Sequence, residues 1–297
     1  MPNLSPWLEA IAYLAPVLGA YFGAVLGSFV NVLCYRLPLM ANRQMNLLAA
    51  QQLGISPPDE LDGEDKHLSL FRPRSHCPTC KTTVPIYHLV PVVSYLVLRG
   101  KCHHCGAHIP VRYFLIELMA MGFGLLCGVR FGASSTTVIY LAGMCVLLAM
   151  AIMDYEHQYV DPHLQGALLW IGMLGAALGV PYLPTPTYAI AAVAGGWTFM
   201  RFYRFVFEDL LKRAVLFEGD EIVVAALGAW LGPVMLFIVL FLGMVFQIVM
   251  LGYEYYRQGL YRPRALIPNL ALAAILVIAF RPDLATVQPV HFIESLM

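Results

Sequence analysis

The stretch "LFEGDEIVVAALGAWLG", residues 216–232, decides the number of membrane spans that this sequence predicts. Three acidic residues crowd its first half, and the apolar run that follows stops at Pro233 after about a dozen residues. A straight span through a bilayer needs about 20 residues. The run is therefore either a short helix that begins at a polar cavity or the first half of a longer span.

The composition indicates an integral membrane protein. Of the 297 residues, 60% are hydrophobic and 12% are charged, whereas a soluble domain usually carries about 25% charged residues. We therefore expect an all-α polytopic membrane protein embedded in the lipid bilayer. A nucleic-acid partner is not expected, because the 18 Lys and Arg residues form no dense basic stripe.

Eight apolar runs are candidate transmembrane helices, at about 11–34, 111–130, 134–153, 163–180, 187–200, 221–232, 234–253 and 265–280. If the N-terminus faces outside and all eight cross, every basic residue except Arg130 and Arg281 lies in an inside loop. Merging run 221–232 with its neighbour gives seven spans and moves a basic cluster outside, so the positive-inside rule favours eight. The predicted parts are a first transmembrane helix (1–35), a polar cytoplasmic insert (36–110) and a transmembrane domain (111–297).

Two Cys-x-x-Cys pairs lie in the polar insert: Cys77 with Cys80, and Cys102 with Cys105, separated by 21 residues. Each pair offers two sulfurs from one tight turn, which is typical of a four-thiolate zinc site. Two disulfides or unrelated thiols are the alternatives, and the reducing cytoplasm disfavours disulfides. Because four thiolates leave no open coordination position, we expect the zinc to be structural.

Asp154 and Asp220 are the candidate catalytic pair. Asp154 ends the third apolar run and Asp220 opens the sixth, so the eight-span topology places both at the cytoplasmic membrane face. Two close carboxylates share one proton, and such a pair can activate a water and protonate a leaving amine. Gly219 has no side chain and leaves room for a substrate backbone. The alternatives are a helix cap for Asp220 and an ordinary interfacial position for Asp154.

Two further acidic residues have other interpretations. Asp161 precedes a proline at the start of the fourth run, so it is predicted to cap that helix. Glu117 lies about a turn and a half inside the second run. It would either pair with Arg112 or Arg36 or line a second polar pocket, because an ionisable residue at membrane depth is costly unless it is used.

Six motifs occur in a fixed order: "GSFVNVLCYRLP" (27–38), "RPRSHCPTC" (72–80), "SYLVLRGKCHHC" (94–105), "RYFLIELM" (112–119), "DYEHQYVD" (154–161) and "GDEIVVAALGAWLG" (219–232). In this order they resemble the type IV prepilin peptidases, a family of bifunctional prepilin leader peptidases and N-methyltransferases. The resemblance covers nearly the whole chain.

The resemblance implies that Asp154 and Asp220 are the peptidase dyad and that the four cysteines bind zinc. It implies cleavage of short basic leaders from type IV prepilins or pseudopilins, at the cytoplasmic face of the bacterial inner membrane. The new N-terminal amine would then be methylated with S-adenosylmethionine as donor and with Glu117 taking part. Glu218 and Glu221 match no role in this pattern and are interpreted as bystanders, most simply rim residues near the basic leader.

Two residues near Asp220 are among those that depart from the family pattern. Phe217 replaces the first glycine of the G-x-G-D motif, and Ile222 stands where the family has lysine. A catalytically impaired relative that acts in pilus or secretion-system assembly is therefore one alternative. An ion-coupled transporter is another, which is disfavoured because the acids cluster at one membrane face and no internal repeat is present.

Overall fold

The computed structural model describes residues 6–55, 68–206, 219–258 and 266–280. In these ranges the chain forms α-helices, one short 3-10 helix at Ile86–His88 and two isolated β-bridges. The α-helices are α1 Pro6–Leu53, α2 Val93–Val97, α3 Val111–Phe131, α4 Ser135–His157, α5 Pro162–Ala177, α6 Pro186–Arg204, α7 Asp220–Gln258 and α8 Ile267–Phe280. Among the described residues, four stretches are long and apolar enough to cross a membrane: Tyr13–Leu53, Val111–Phe131, Ser135–His157 and Asp220–Arg257. The predicted all-α membrane fold is confirmed.

The chain divides into two compact units, Met1–Ala133 and Ser134–Met297. In the first unit, α1 and α3 pack closely along small residues. A methyl group on Gly19 would collide with the carbonyl of Gly124, and one on Gly124 would collide with the carbonyl of Gly19. Membrane helices associate through such small residues because backbone contact, and not the hydrophobic effect, holds them together in lipid.

Helix α1 is longer than the sequence predicts. It does not end near residue 35 but continues through Pro38 to Leu53. The residues that follow Pro38 are mostly Leu, Met, Ala and Gln, which are strong helix formers, so the helix resumes after the hydrogen bond that the proline removes. With 48 residues the helix is about 70 Å long, against about 30 Å for the hydrocarbon core of a bilayer. A helix of this length therefore extends beyond the bilayer.

Helix α7 is interrupted by a kink at Gly232. This residue has a non-helical φ of 71° and ψ of 175°, and Pro233 follows it. A methyl group on Gly196 of α6 would lie 3.4 Å from Val224 Cγ1 and 3.0 Å from Leu236 Cδ2. A straight helix would separate Val224 and Leu236 by about 18 Å, so α7 is sharply bent between these two residues. This kink supports counting the apolar runs on either side of Gly232 as separate spans.

Trp230 connects α7 to α4 and α5 in the second unit. Its indole N–H donates to the Leu168 carbonyl at 2.8 Å, and its ring lies edge-on to Tyr140 with 5.6 Å between centroids. A methyl group on Gly143 or Gly172 would collide with the Trp230 ring. The fold thus places a large side chain where both neighbouring helices carry glycine. Helix α8 packs against α4 and α7.

Candidate active site

Asp154 lies in the last turn of α4 and is 1% exposed. Its Oδ2 accepts a hydrogen bond at 3.2 Å from the backbone N–H of Ile267, the first residue of α8. Its Oδ1 is buried and has no hydrogen-bond partner among the described residues. Because the amino end of a helix carries partial positive charge, α8 directs that charge at the Asp154 carboxylate. The sequence pattern gave no indication of this contact.

Asp220 is the first residue of α7 and is also 1% exposed. Its carboxylate lies close enough to that of Asp154 for the two charges to repel each other. The Gly219 carbonyl accepts hydrogen bonds from the N–H groups of Ile222 and Val223 at 3.0 and 3.1 Å. Gly219 therefore occupies the N-cap position, and Asp220 follows it in the first turn. Capping by the side chain does not account for the burial of Asp220.

Gly219 lies against Gln165 of α5, a residue outside the six sequence motifs. Gly219 has φ 107°, a conformation that residues with side chains rarely adopt. A methyl group on it would collide with Gln165 Nε2, and Gln165 is itself buried. The space that Gly219 leaves is therefore filled by an amide beside the residue that precedes Asp220. The single amide side chain in α5, a helix whose only other polar side chain is that of His163, is the available sequence signal.

Glu221 is engaged by two arginines and is not an unpaired rim residue. Its Oε1 lies 3.3 Å from Arg204 Nη1 and 3.6 Å from Arg201 Nη1. Both arginines belong to the last turn of α6, and Glu221 is buried. The ion pairs therefore join the end of α6 to the start of α7, one residue after Asp220.

Of the two residues near Asp220 that depart from the family motif, the structure describes only Ile222. Phe217, like Glu218, lies outside the described residues. Ile222 lies in the first turn of α7 and is 42% exposed. An apolar side chain thus projects from the helix two residues after the buried Asp220.

Asp161 caps α5, as its position before Pro162 predicts. Its Oδ1 accepts hydrogen bonds from the N–H groups of His163 and Leu164 at 2.9 and 3.3 Å. The Tyr159 hydroxyl donates to Oδ2 at 3.1 Å. Burial, together with the Asp161 charge, raises the pKa of Tyr159 to about 12, so this hydroxyl keeps its proton at neutral pH. The Asp161 carboxylate has a structural role at the start of α5.

Glu117 belongs to α3, in the first compact unit, and holds part of the insert. Its Oε2 accepts a hydrogen bond at 2.7 Å from the Val92 N–H. Val92 has φ 63°, which is strained for a β-branched residue. Arg36, one of the predicted partners, donates instead to the carbonyls of Ser69 and Pro73, each at 2.6 Å.

The four cysteines of the insert form one cluster. The Sγ atoms of Cys77, Cys80, Cys102 and Cys105 all lie within 4.8 Å of one another, and those of Cys77 and Cys105 are 3.8 Å apart. All four are free thiols, so the structure does not support the disulfide alternative. Together the four sulfurs could hold a metal ion.

Two turns of the same design supply these sulfurs. The Lys81 N–H donates to the Cys77 carbonyl, and the Gly106 N–H donates to the Cys102 carbonyl, both at 2.9 Å. Lys81 and Gly106 both have positive φ, 58° and 72°. Backbone N–H groups within each turn lower the pKa of Cys77 and of Cys102, whereas burial and the neighbouring sulfurs raise the pKa of Cys105 to about 11.

Comparison with known proteins identifies the class of protein. Residues 21–131 match the bacterial peptidase A24 N-terminal domain, and residues 141–252 match the type IV leader peptidase family. A prepilin leader peptidase/N-methyltransferase of Neisseria gonorrhoeae is 34% identical over 248 residues, which cover 82% of this chain and 85% of that protein. The chain belongs to the type IV leader peptidase family, as its motifs predict.

Two other relatives have names of the same kind. A prepilin leader peptidase/N-methyltransferase of Aeromonas salmonicida (strain A449) is 31% identical over 272 residues, or 90% of this chain and 89% of that protein. A type 4 prepilin-like proteins leader peptide-processing enzyme of Escherichia coli O78:H11 is 34% identical over 223 residues, or 74% and 78% of the two chains. No solved structure matches the chain.

Proposed function

We propose that the protein cleaves the short basic leader from type IV prepilins or pseudopilins and then methylates the new N-terminal residue. The observation that carries the peptidase proposal is the pair of buried carboxylates, Asp154 and Asp220, which α4 and α7 bring close enough to repel each other. The substrate class comes from the names of the relatives, which are prepilin leader peptidases and N-methyltransferases.

The proposed cleavage needs only the aspartate pair and one water. Two buried carboxylates that repel each other share one proton. The charged carboxylate takes a proton from the water as the water oxygen attacks the scissile carbonyl carbon. The protonated carboxylate gives its proton to the leaving amine, and the carbon–nitrogen bond breaks. One proton remains on the pair, which is then ready for another turnover.

The surrounding residues hold this pair in position. The Ile267 N–H fixes one oxygen of Asp154. The Gly219 backbone, packed against Gln165, sets where α7 begins and so where Asp220 lies. Gly219 and Gln165 are therefore proposed to position the catalytic pair, and the backbone at Gly219 to lie beside the bound substrate.

Methylation is proposed as a second activity, with S-adenosylmethionine supplying an electrophilic methyl group to the new amine. Glu117 is the residue proposed to take part. Its support is its place in the fold, because its carboxylate joins α3 to the insert through Val92. Loss of methylation with retained cleavage in Glu117→Gln would support this role. Normal methylation in Glu117→Ala would refute it.

The cysteine cluster is proposed to bind structural zinc. Zinc–thiolate bonds of about 2.3 Å in a regular tetrahedron put the sulfurs about 3.8 Å apart, and Cys77 and Cys105 are separated by 3.8 Å. Bound zinc would cross-link the two turns. It would take no part in catalysis, since four thiolates fill its coordination sphere.

The proposed location is the bacterial inner membrane, with the N-terminus outside and the insert in the cytoplasm. The supporting observations are the four candidate spans and the distribution of basic residues, which the positive-inside rule assigns to the cytoplasmic side. The aspartate pair would then face the cytoplasmic side, where precursor leaders are found.

A cleavage assay tests the peptidase proposal. The full chain in lipid nanodiscs would receive a pilin-like precursor, and leader release would be followed by mass spectrometry. Asp154→Asn and Asp220→Asn should each lower the rate by about 10²- to 10⁴-fold, because neither amide can exchange the proton that the reaction needs. Methylation would be read in the same spectra as a one-methyl mass gain on the processed product.

Glu156→Gln is the matched control, since this exposed acid lies in the same last turn of α4 as Asp154. It should cleave at the wild-type rate. Wild-type rates in either aspartate variant would refute the assignment of the pair. A folded wild-type protein that releases no leader in lipid would refute the peptidase activity itself.

A further inference from the structure

Residues 82–98 of the insert form a largely apolar segment with exposed side chains, and the proposed cleavage does not use it. Between Lys81 and Arg99 the sequence contains no Asp, Glu, Lys or Arg. Four large apolar side chains of this segment are between 60% and 74% exposed: Ile86, Tyr87, Leu96 and Val97. Exposed apolar patches of this kind mark interaction surfaces.

Two contacts fix the segment against α3. The Val92 N–H bonds to the Glu117 carboxylate at 2.7 Å, and the Tyr95 ring stacks on Phe114 with 5.0 Å between centroids. Phe114 and Glu117 lie three and six residues after Val111, where this candidate membrane span begins. The segment therefore sits beside α3 at a depth of about 5–9 Å from its start.

Basic residues border the segment on both sides. Lys81 precedes it, Arg99 and Lys101 follow it, and all three are exposed. Basic side chains at the edge of an apolar surface are attracted to anionic lipid headgroups. Tyr87 adds an amphipathic ring of the kind that is enriched at membrane interfaces.

We propose that residues 82–98 insert into the headgroup and upper acyl region of an anionic bilayer and anchor the insert there. An apolar face in such an interface is buried by about 5–10 Å, which agrees with the depth that the contacts to α3 set. The segment also connects the second cysteine of one metal-binding turn to the first cysteine of the other. Its insertion therefore holds the cysteine cluster at the membrane surface.

Fluorescence quenching by brominated lipid tests this anchor. Leu96→Trp would be placed in nanodiscs of phosphatidylcholine and phosphatidylglycerol, with bromine at a shallow or a deep acyl position. The spectrum of the wild-type protein, with its four tryptophans, would be subtracted. We expect the added emission to be quenched, and more strongly by shallow bromine than by deep bromine. Gln51→Trp, in the exposed last turn of α1, is the matched control and should not be quenched.

The outcomes separate lipid from other occupants. Equal, weak quenching of Leu96→Trp and Gln51→Trp in a protein that retains its metal would overturn the proposal. Shielding of Leu96→Trp only after addition of a pilin-like precursor would also overturn it and would assign the surface to substrate. If Leu96→Trp does not fold, Val97→Trp gives the same readout. Because the assay contains no substrate unless precursor is added, its result is independent of the peptidase proposal.

A second measurement tests the charge component. Arg99→Gln with Lys101→Gln should reduce the quenching of Leu96→Trp in nanodiscs that contain phosphatidylglycerol. The same change should have little effect in phosphatidylcholine alone, since the attraction to anionic headgroups is then absent. The requirement for an anionic surface would be refuted if the quenching stays the same when the two charges are removed and also when phosphatidylglycerol is left out.

Discussion

The cysteine cluster and the aspartate pair are both small polar sites in an apolar protein, but they are assembled differently. Each half of the cluster is a single tight turn, closed by a backbone hydrogen bond of 2.9 Å. The pair is formed by the last turn of α4 and the first residue of α7. Its members meet only because α4, α5, α7 and α8 pack together.

This difference determines what can damage each site. A turn of a few residues keeps its geometry as long as its own backbone bonds remain. A pair that depends on helix packing responds to any change that moves a helix end, because displacement by about 1 Å can lower a catalytic rate by about 10²-fold. Metal binding and cleavage should therefore be separable by mutation.

Loss of one thiolate gives the largest expected effect. Cys102→Ser should reduce the bound metal to near zero, because a serine hydroxyl is a poor substitute for a thiolate ligand. Cleavage should fall far less than in Asp154→Asn. Metal content by elemental mass spectrometry and leader release would be measured on the same preparation.

Cys145→Ser is the control for this prediction, since Cys145 is a buried free thiol of α4 outside the cluster. It should keep the metal. The separability of metal binding and cleavage would be refuted by either of two results. One is loss of the metal from Asp154→Asn, and the other is loss of cleavage in Cys102→Ser as complete as that in Asp154→Asn.

A methyl group at the start of α7 should affect the aspartate pair alone. Gly219→Ala should lower the cleavage rate by about 10- to 100-fold with metal content unchanged. The added methyl group collides with Gln165 Nε2, and alanine at φ 107° is strained. Both effects displace Asp220. Leader release at saturating and subsaturating precursor would show whether the loss lies in kcat.

Two variants sharpen this prediction. Gly166→Ala, next to Gln165 in α5, meets nothing within 4 Å and should cleave normally. Gln165→Ala added to Gly219→Ala should restore part of the rate, because it removes the collision and leaves the backbone strain. Full wild-type activity in Gly219→Ala would show that Asp220 does not depend on this contact.

The locally built features were the ones that the sequence could predict. The Cys-x-x-Cys spacing indicates the four-sulfur cluster, and Asp161 before Pro162 indicates the cap of α5. Pro233 indicates the point where the first apolar run of α7 stops, and the kink of α7 lies directly before it. Asp154 and Asp220 could be proposed as a pair because charges are costly in apolar runs and because basic residues set the topology.

Contacts between distant segments could not be predicted. No spacing rule relates Ile267 to Asp154, or Gln165 to Gly219, since helix packing alone determines these neighbours. Glu221 was interpreted as a rim residue because its arginine partners lie in a different helix. The length of α1 was underestimated because Pro38 and the polar residues after it indicated the end of a helix.

Removal of the charge of Glu221, the residue after Asp220, should have a moderate effect on the free energy of unfolding. Glu221→Gln should lower the free energy of unfolding by about 1–2 kcal/mol, since Arg204 and Arg201 lose their shared counter-charge at a partly exposed site. Denaturant unfolding in detergent would measure this loss. Arg204→Gln combined with Glu221→Gln should cost less than the sum of the single changes. Strict additivity would show that this ion pair contributes nothing.

The smallest expected effect is at Asp161, the cap of α5, which is close in sequence to Asp154. Asp161→Ala removes the N-cap of α5 and should lower the free energy of unfolding by about 1 kcal/mol, whereas Asp161→Asn should cost less because asparagine also caps helices. Cleavage by either folded variant should stay within a few-fold of wild type.

Asp161 lies seven residues after Asp154, so nearness in sequence is not what distinguishes the two carboxylates. A loss of cleavage in Asp161→Asn as large as that in Asp154→Asn would show that the α5 cap belongs to the catalytic site, and the distinction between local and packed sites would then fail in the second unit.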